Sequence, residues 1–273
     1  MNPLDSVGSI VQIGEYAKGA MLLMALCGMR ILAAMMVMPA TNDQVLQGTI
    51  RTGIALVIGG YIAWGQSLEW ALHLSSPQIV ALLLKETLLG LLLGFASATV
   101  FWVAEGVGVM IDNQAGYNSV QQTNPLSGEQ STPVGNTLQQ LAITGFYMLG
   151  GLVVWIGVLF ETYEWWPLAR VLPDWSNVLE RFVQIEVQRY LVVVVQIACP
   201  VMLVLLMIDL AIGLLSKMAE KLEPNNLGQP IKGAVALLLL SMLVAVFFEQ
   251  AKPELALRSL AADLKTFSGA IGK

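Results

Sequence analysis

The sequence predicts an all-α, polytopic membrane protein of about six long hydrophobic helices arranged as hairpins. Of the 273 residues, 56% are hydrophobic and only 12% are charged, whereas a globular domain carries about 25% charged residues. The mean hydropathy of +0.70 points the same way. A soluble domain of this length would need a polar surface that so few charges cannot supply. We therefore treat residues 1–273 as a single integral membrane domain.

The apolar stretches approach the length of about twenty residues that a membrane helix needs. The predicted spans lie near residues 19–38, 50–64, 79–104, 138–160, 190–216 and 231–248. The second is short and is expected to be a half-span or a tilted helix, while the third and fifth are longer than a bilayer requires. Apolar residues also recur at helical spacing in two further segments, 174–189 and 253–267, which predicts amphipathic helices there.

Composition excludes several classes of function. The net charge is −5 and no run of basic residues occurs, so nucleic acid is not an expected partner. Cys27 and Cys199 lie in apolar stretches and His73 is the only histidine, so neither a metal site nor a cofactor is expected. The HExxH, GxSxG and GxxxxGK[ST] motifs are absent from the sequence. The protein is therefore predicted not to be an enzyme.

Four charged residues interrupt the predicted spans: Arg30, Lys85, Glu86 and Asp209. Each would cost about 2.5–3.5 kcal/mol in a lipid-facing helix, so each needs a partner or a purpose. They could pair between helices, for example Arg30 or Lys85 with Asp209 or Glu86. They could instead form the ion or proton pathway of a secondary transporter. A third interpretation is that these helices face other subunits of an assembly rather than lipid.

Small residues recur every four positions in the third span, at Gly90, Gly94 and Ala98. Such a stripe lets two helices approach each other closely. The pattern predicts tight helix packing at this face and is compatible with packing in a larger assembly.

A polar segment occupies residues 105–137, with the sequence EGVGVMIDNQAGYNSVQQTNPLSGEQSTPVGNT. It begins with several glycines and then becomes rich in Asn, Gln, Ser and Thr, with few charges. Its backbone and amide groups could not be satisfied in lipid. Loops of about this length tend to be functional or disordered. The segment could line or close a water-filled lumen, or it could be a plain loop outside the membrane.

Two motifs resemble those of a known family. The first is Ile111-Asp112-Asn113-Gln114-Ala115-Gly116 with a following loop, and the second lies after the fifth span. The loop residues that match are Asn124, Pro125, Gly128, Glu129, Gln130 and Pro133. The residues of the second motif are Lys217, Pro224, Asn225, Asn226, Gly228, Pro230 and Lys232. The chain resembles the T subunits of type III secretion export apparatuses (the SctT/YscT/SpaR proteins, related to flagellar FliR), in their injectisome branch.

The resemblance implies a core export-apparatus subunit in the bacterial inner membrane, which helps to form and gate the channel for unfolded secreted proteins. Family members join R (FliP-like) and S (FliQ-like) subunits in a helical, cone-shaped assembly, part of which projects to the periplasmic side. They also contact the U and V export subunits and membrane lipid. No cofactor is implied. The intramembrane charges would then serve helix and subunit packing, and a secondary transporter remains the alternative function.

The resemblance also implies a plug inside the lumen, in the region around Gly106–Thr123. We expect Met110–Thr123 to form this closing element. The candidate plug or gate residues are Gly106, Gly108, Met110, Ile111, Asp112, Asn113, Gln114, Gly116, Tyr117, Gln121 and Gln122.

Overall fold

The computed structural model describes residues 3–43, 45–117, 122–123, 130–169, 175–218, 228, 230–239 and 241–242. These residues are almost entirely helical, which confirms the predicted all-α class. The helices are α1 (Pro3–Val37), α2 (Gly48–Trp64), α3 (Leu68–Leu72), α4 (Ser76–Ala115), α5 (Pro133–Met148), α6 (Gly151–Trp165), α7 (Trp175–Met218) and α8 (Pro230–Leu239). A 3-10 turn covers Pro39–Thr41, and two short antiparallel strands, β1 (Gln122–Thr123) and β2 (Gln130–Ser131), pair between α4 and α5.

Three of the helices are long and apolar enough to cross a membrane. They are Ile10–Val37 in α1, the whole of α4, and Val187–Met218 in α7. Helices α5 and α6, with a bend of 74° between them, would make a fourth span if they are taken as one. The described residues thus hold three or four candidate spans, and most of the last expected span, 231–248, lies beyond α8 or outside the described residues. The second expected span corresponds to α2, which has 17 residues and is short, as the sequence predicted.

Both ends of the predicted loop 105–137 are helical in the structure. Helix α4 continues past residue 104 to Ala115, and α5 begins at Pro133. The expected span 138–160 is also interrupted, because α5 ends at Met148 and α6 starts at Gly151. Gly150 has a φ of +74°, a left-handed conformation that ends a helix and that glycine adopts readily.

The predicted amphipathic segment 174–189 forms the beginning of α7, continuous with the fifth predicted span. Pro200 lies inside this helix, which continues across it. The second amphipathic segment, 253–267, and the end of the last predicted span lie outside the described residues.

The chain divides into two compact units. Among the described residues, the first unit contains those up to Ala98 together with Trp155–Val178, and the second contains Thr99–Val154 and those from Leu179 to Met242. Helix α4 therefore contributes its N-terminal part to the first unit and its C-terminal part to the second.

In the first unit, the small-residue stripe of α4 packs on α1. A Cβ on Gly94 would lie 2.6 Å from the Ala34 carbonyl oxygen, and one on Gly90 would lie 2.7 Å from the Ala33 Cβ. Both distances are too short for a side chain, so the two backbones are in direct contact at glycine. The stripe thus serves packing within this chain, as small residues do in membrane helix pairs.

In the second unit, the C-terminal part of α4 packs on α5. Phe101 and Phe146 meet edge to face, with ring centroids 5.5 Å apart. Val107, Ile111 and Leu138 on the same two helices are also fully buried. This contact places the end of α4 next to the start of α5, and so brings together the two ends of the polar segment.

Candidate functional site

The first unit buries a cluster of charged side chains. The Nε of Arg30 in α1 donates to Oε2 of Glu86 in α4 at 2.6 Å, and both residues are fully buried. The Lys85 ammonium lies 2.9 Å from the other Glu86 oxygen, Oε1. One carboxylate therefore faces two cations, and the cluster carries a net charge of +1. The expected pairing of Arg30 and Lys85 with Glu86 occurs in the structure.

Backbone and hydroxyl oxygens complete this cluster. Arg30 donates to the Thr162 hydroxyl at 3.1 Å and to the Trp166 carbonyl at 3.0 Å. Lys85 donates to the carbonyls of Pro167 at 3.2 Å and Leu168 at 2.9 Å. These bonds compensate the lost hydration of both cations. They attach the chain after α6 to α1 and α4, a role for residues 166–168 that sequence reasoning missed.

An aromatic ring covers the cluster. The Arg30 guanidinium lies over the Tyr163 ring, 3.9 Å from its centroid, a cation–π contact. The Tyr163 hydroxyl donates to the Cys27 carbonyl at 2.5 Å. Together with its bonds to Glu86, Thr162 and Trp166, the Arg30 guanidinium has a hydrogen-bond partner at every nitrogen. The arrangement is that of a structural cluster.

In the second unit, Asp112 caps the start of α5. Its Oδ2 accepts hydrogen bonds from the backbone N–H groups of Val134 at 2.8 Å and Gly135 at 3.2 Å. The first N–H groups of a helix have no partner inside the helix, and an anion there also complements the helix dipole. Asp112 is fully buried. It therefore links the last turn of α4 to the first turn of α5.

Several other candidate plug residues pack within α4. A Cβ on Gly106 would lie 2.7 Å from the Tyr190 hydroxyl oxygen, and one on Gly108 would lie 2.7 Å from the Val134 carbonyl carbon. Ile111 is fully buried, Met110 is half-buried and Asn113 is exposed. Residues Met110–Ala115 are helical, so the first part of the expected closing element Met110–Thr123 belongs to α4.

Helix α4 ends at a glycine. Gly116 has a φ of +86°, and its N–H donates to the Asn113 carbonyl at 3.3 Å, which is a helix-ending turn that favours glycine. Tyr117 follows, and its hydroxyl lies where a Cβ on Gly233 in α8 would be. Residues 118–121, including Gln121, lie outside the described residues.

Two stretches inside the polar segment form a short antiparallel strand pair. Gln122 pairs with Ser131 and Thr123 pairs with Gln130. Pro133 then occupies the first turn of α5, where its missing N–H is not needed. Of the loop motif, Asn124, Pro125, Gly128 and Glu129 lie outside the described residues.

Asp209 joins a separate network rather than the cluster around Arg30. Its Oδ1 pairs with the Lys232 ammonium at 2.9 Å, and its Oδ2 accepts from the Gln114 side chain at 3.1 Å. Lys232 also donates to the Gln114 carbonyl at 3.3 Å. Of the two carboxylates offered as partners for Arg30 and Lys85, Glu86 is the one they use, and Asp209 pairs with Lys232 in α8.

The other residues of the second motif have simpler positions. Gly228 is buried, and a Cβ on it would lie 3.2 Å from Ile212 Cδ1 in α7. Pro230 begins α8, and Lys217 is exposed in the last turn of α7. Pro224, Asn225 and Asn226 lie outside the described residues. Within the described ranges, no three His, Cys, Asp or Glu residues are grouped so that they could hold a metal ion.

Comparison with known proteins identifies the family. The model of a family described as bacterial export proteins, family 1, matches residues 21–257. The Yop proteins translocation protein T of Yersinia pestis is 30% identical over 212 residues, which cover 77% of this chain and 81% of the relative. The surface presentation of antigens protein SpaR of Salmonella typhimurium is 29% identical over 222 residues, 81% of each chain.

A flagellar relative matches more weakly. The flagellar biosynthetic protein FliR of Bacillus subtilis is 23% identical over 167 residues, which cover 60% of this chain and 64% of the relative. The resemblance inferred from the two motifs is therefore confirmed. The chain belongs to the bacterial export proteins, family 1.

Proposed function

We propose that this protein is a core export-apparatus subunit of a bacterial type III secretion system and helps to form and gate an inner-membrane channel for unfolded proteins. The observation that carries the proposal is the family match over residues 21–257. Relatives named for Yop proteins translocation, for surface presentation of antigens and for a secretion system apparatus support the same role. One of these relatives is named as an apparatus protein, and the role proposed here is likewise not catalytic.

The charged side chains of the spans support a structural role over ion coupling. Both Glu86 oxygens face cations, at 2.6 Å and 2.9 Å, and the carboxylate is fully buried. A proton-coupling carboxylate needs access to water in at least one state. Within the described residues no observation favours the alternative of a secondary transporter.

We propose that the gate is a tethered loop, residues 116–132. Its composition of Asn, Gln, Ser and Thr suits a surface that must exclude water flow without binding any passing side chain tightly. The described residues tether it at both ends, through the Asp112 cap on α5 and the pairing of Gln122 with Ser131. A loop held at its base can move without unfolding the helices that carry it. Gln121, Gln122 and the motif residues from Asn124 to Gln130 would belong to this loop, whereas Pro133 begins α5.

The proposed partners are the R-type and S-type subunits of the channel and the U-type and V-type export subunits. Membrane lipid and unfolded secreted proteins would be the other contacts. Large apolar side chains exposed along α7, among them Leu203, Leu206, Leu210 and Leu214, would lie against lipid or these subunits. We also propose that part of the assembly projects to the periplasmic side of the bacterial inner membrane.

Co-purification tests this function. The chain is expressed with tagged R-type and S-type subunits of the same bacterium, alongside an unrelated multi-pass protein of similar size as a control. We expect the chain, and not the control, to remain with the tagged subunits through size-exclusion chromatography. A chain that purifies alone as a monodisperse species with ion-coupled transport activity would contradict the proposal.

A further inference from the structure

The C-terminal end of α4 is capped by a side chain from another helix. The last four carbonyl groups of an α-helix have no partner inside the helix, and in α4 they include the carbonyl of Gln114. The Lys232 ammonium of α8 donates to this carbonyl at 3.3 Å. In the sequence no residue of the last turn of α4 is basic. The cation that complements the negative end of the helix dipole is therefore supplied by α8.

The capping ammonium is itself held in position. Asp209 of α7 pairs with it at 2.9 Å and accepts from the Gln114 side chain at 3.1 Å. The three residues thus form a closed ring that joins the end of α4 to α7 and α8. The side chain of Lys232 is only 16% exposed, so water competes little with the bond to the carbonyl. An unconstrained surface lysine would not hold one geometry in this way.

The neighbouring residue of α8 contacts the chain immediately after α4. Gly233 lies so close under the Tyr117 hydroxyl that no side chain could be placed between them. Gly116, with its φ of +86°, directs the chain out of the helix just before this contact. Two consecutive residues of α8 therefore contact the last turn of α4 and the first residue after its terminal glycine.

We propose that Lys232 is a positioning residue, which caps α4 and fixes the point where the tethered loop leaves the helix. A displacement of α8 from α4 would release the cap and the Tyr117 contact together. Movement of α8 would thereby be transmitted to the base of the loop. The consequence for gating rests on the proposed function, whereas the cap itself does not.

Hydrogen–deuterium exchange of the purified complex tests the cap. In Lys232→Met, we expect amides in a peptide covering Asn113–Tyr117 to exchange roughly three- to tenfold faster than in the parent, since one hydrogen bond at the helix end is lost. Lys232→Arg keeps the charge and the donors and should restore the parent rate. Lys217→Met, which removes an exposed cation from the last turn of α7, is the matched control and should leave this peptide unchanged.

Unchanged exchange at the end of α4 in Lys232→Met would overturn the inference. If this variant fails to assemble, Asp209→Asn provides the test, because it removes the carboxylate charge that holds the ammonium while leaving the lysine in place. Unchanged exchange at the end of α4 in Asp209→Asn would overturn the inference equally. Ion leak through the assembled complex is measured on the same samples. Faster exchange with a parent-like leak would support the cap and contradict the gating role of the loop, so the two failures are distinguishable.

Discussion

Replacing Glu86 by Gln would leave two cations buried in the first unit without a counter-charge. Arg30 and Glu86 are fully buried and Lys85 is 4% exposed. Gln has one acceptor oxygen where Glu86 uses two, at 2.6 Å from Arg30 and 2.9 Å from Lys85. In the variant the amide NH2 group would therefore face one of the two cations, donor against donor.

The expected loss is large because the cations cannot be rehydrated. Removing one partner of a buried ion pair costs about 3–5 kcal/mol. The carbonyls of Trp166 and Leu168 keep their bonds to the cations, so their contribution survives the change. We expect Glu86→Gln to lower the free energy of unfolding by about 3–5 kcal/mol. Lys85→Met, which leaves a neutral pair, should cost about 1–3 kcal/mol.

The assay is an SDS titration in mixed micelles of the chain purified with its partners, followed by near-ultraviolet circular dichroism. Glu161→Gln is the matched control, since this carboxylate lies exposed on α6 and its loss should change stability by less than about 0.5 kcal/mol. The double variant Lys85→Met/Glu86→Gln removes one cation with the anion. We expect it to be less destabilised than the sum of the single variants by about 1 kcal/mol or more.

Two results would refute this reasoning. One is a Glu86→Gln protein no less stable than Glu161→Gln. The other is strict additivity in the double variant, which would mean that Lys85 and Glu86 do not interact in the folded chain. Either result would favour the alternative interpretation, in which the buried charges serve transport rather than packing.

Two further substitutions probe the ends of the polar segment. Asp112→Ala removes the acceptor for two buried N–H groups, so the free energy of unfolding should fall by about 1–3 kcal/mol and hydrogen exchange at the start of α5 should become faster. Asn113→Ala, at the exposed neighbouring residue, should match the parent in both measurements. Gly233→Ala places a methyl group against the Tyr117 hydroxyl, which should cost about 1–3 kcal/mol and raise the ion leak of the complex. Gly213→Ala, at a site with nothing within 4 Å, should do neither.

The fold class and the family could be predicted from composition and two motifs, whereas the extent of α4 could not. Residues 105–115 contain glycines and polar side chains that favour a loop, since each glycine disfavours a helix by about 1 kcal/mol relative to Ala. Tertiary packing reverses this preference. Gly106 accommodates Tyr190 and Gly108 accommodates the start of α5, so these glycines permit close contact instead of ending the helix.

The partners of the charged residues were only partly predictable. Opposite charges on adjacent helices suggested Arg30 with Glu86, and the structure contains this pair. The partner of Asp209 could not be predicted, because no local signal distinguishes a lysine that will face it from one that will not. Lys232 was noticed only as part of a motif. The role of Asp112 as a cap likewise depends on where α5 begins in space, which spacing along the chain does not specify.

Ion leak through the assembled complex tests the central claim most directly. Residues 117–121 are replaced by a Gly/Ser segment of the same length, which leaves α4, Asp112 and the strand pair intact. Conductance is then measured after the complex is reconstituted in lipid bilayers. If the tethered loop closes an export channel, the variant complex assembles like the parent and leaks ions that the parent retains. A fully assembled variant as tight as the parent would contradict the account.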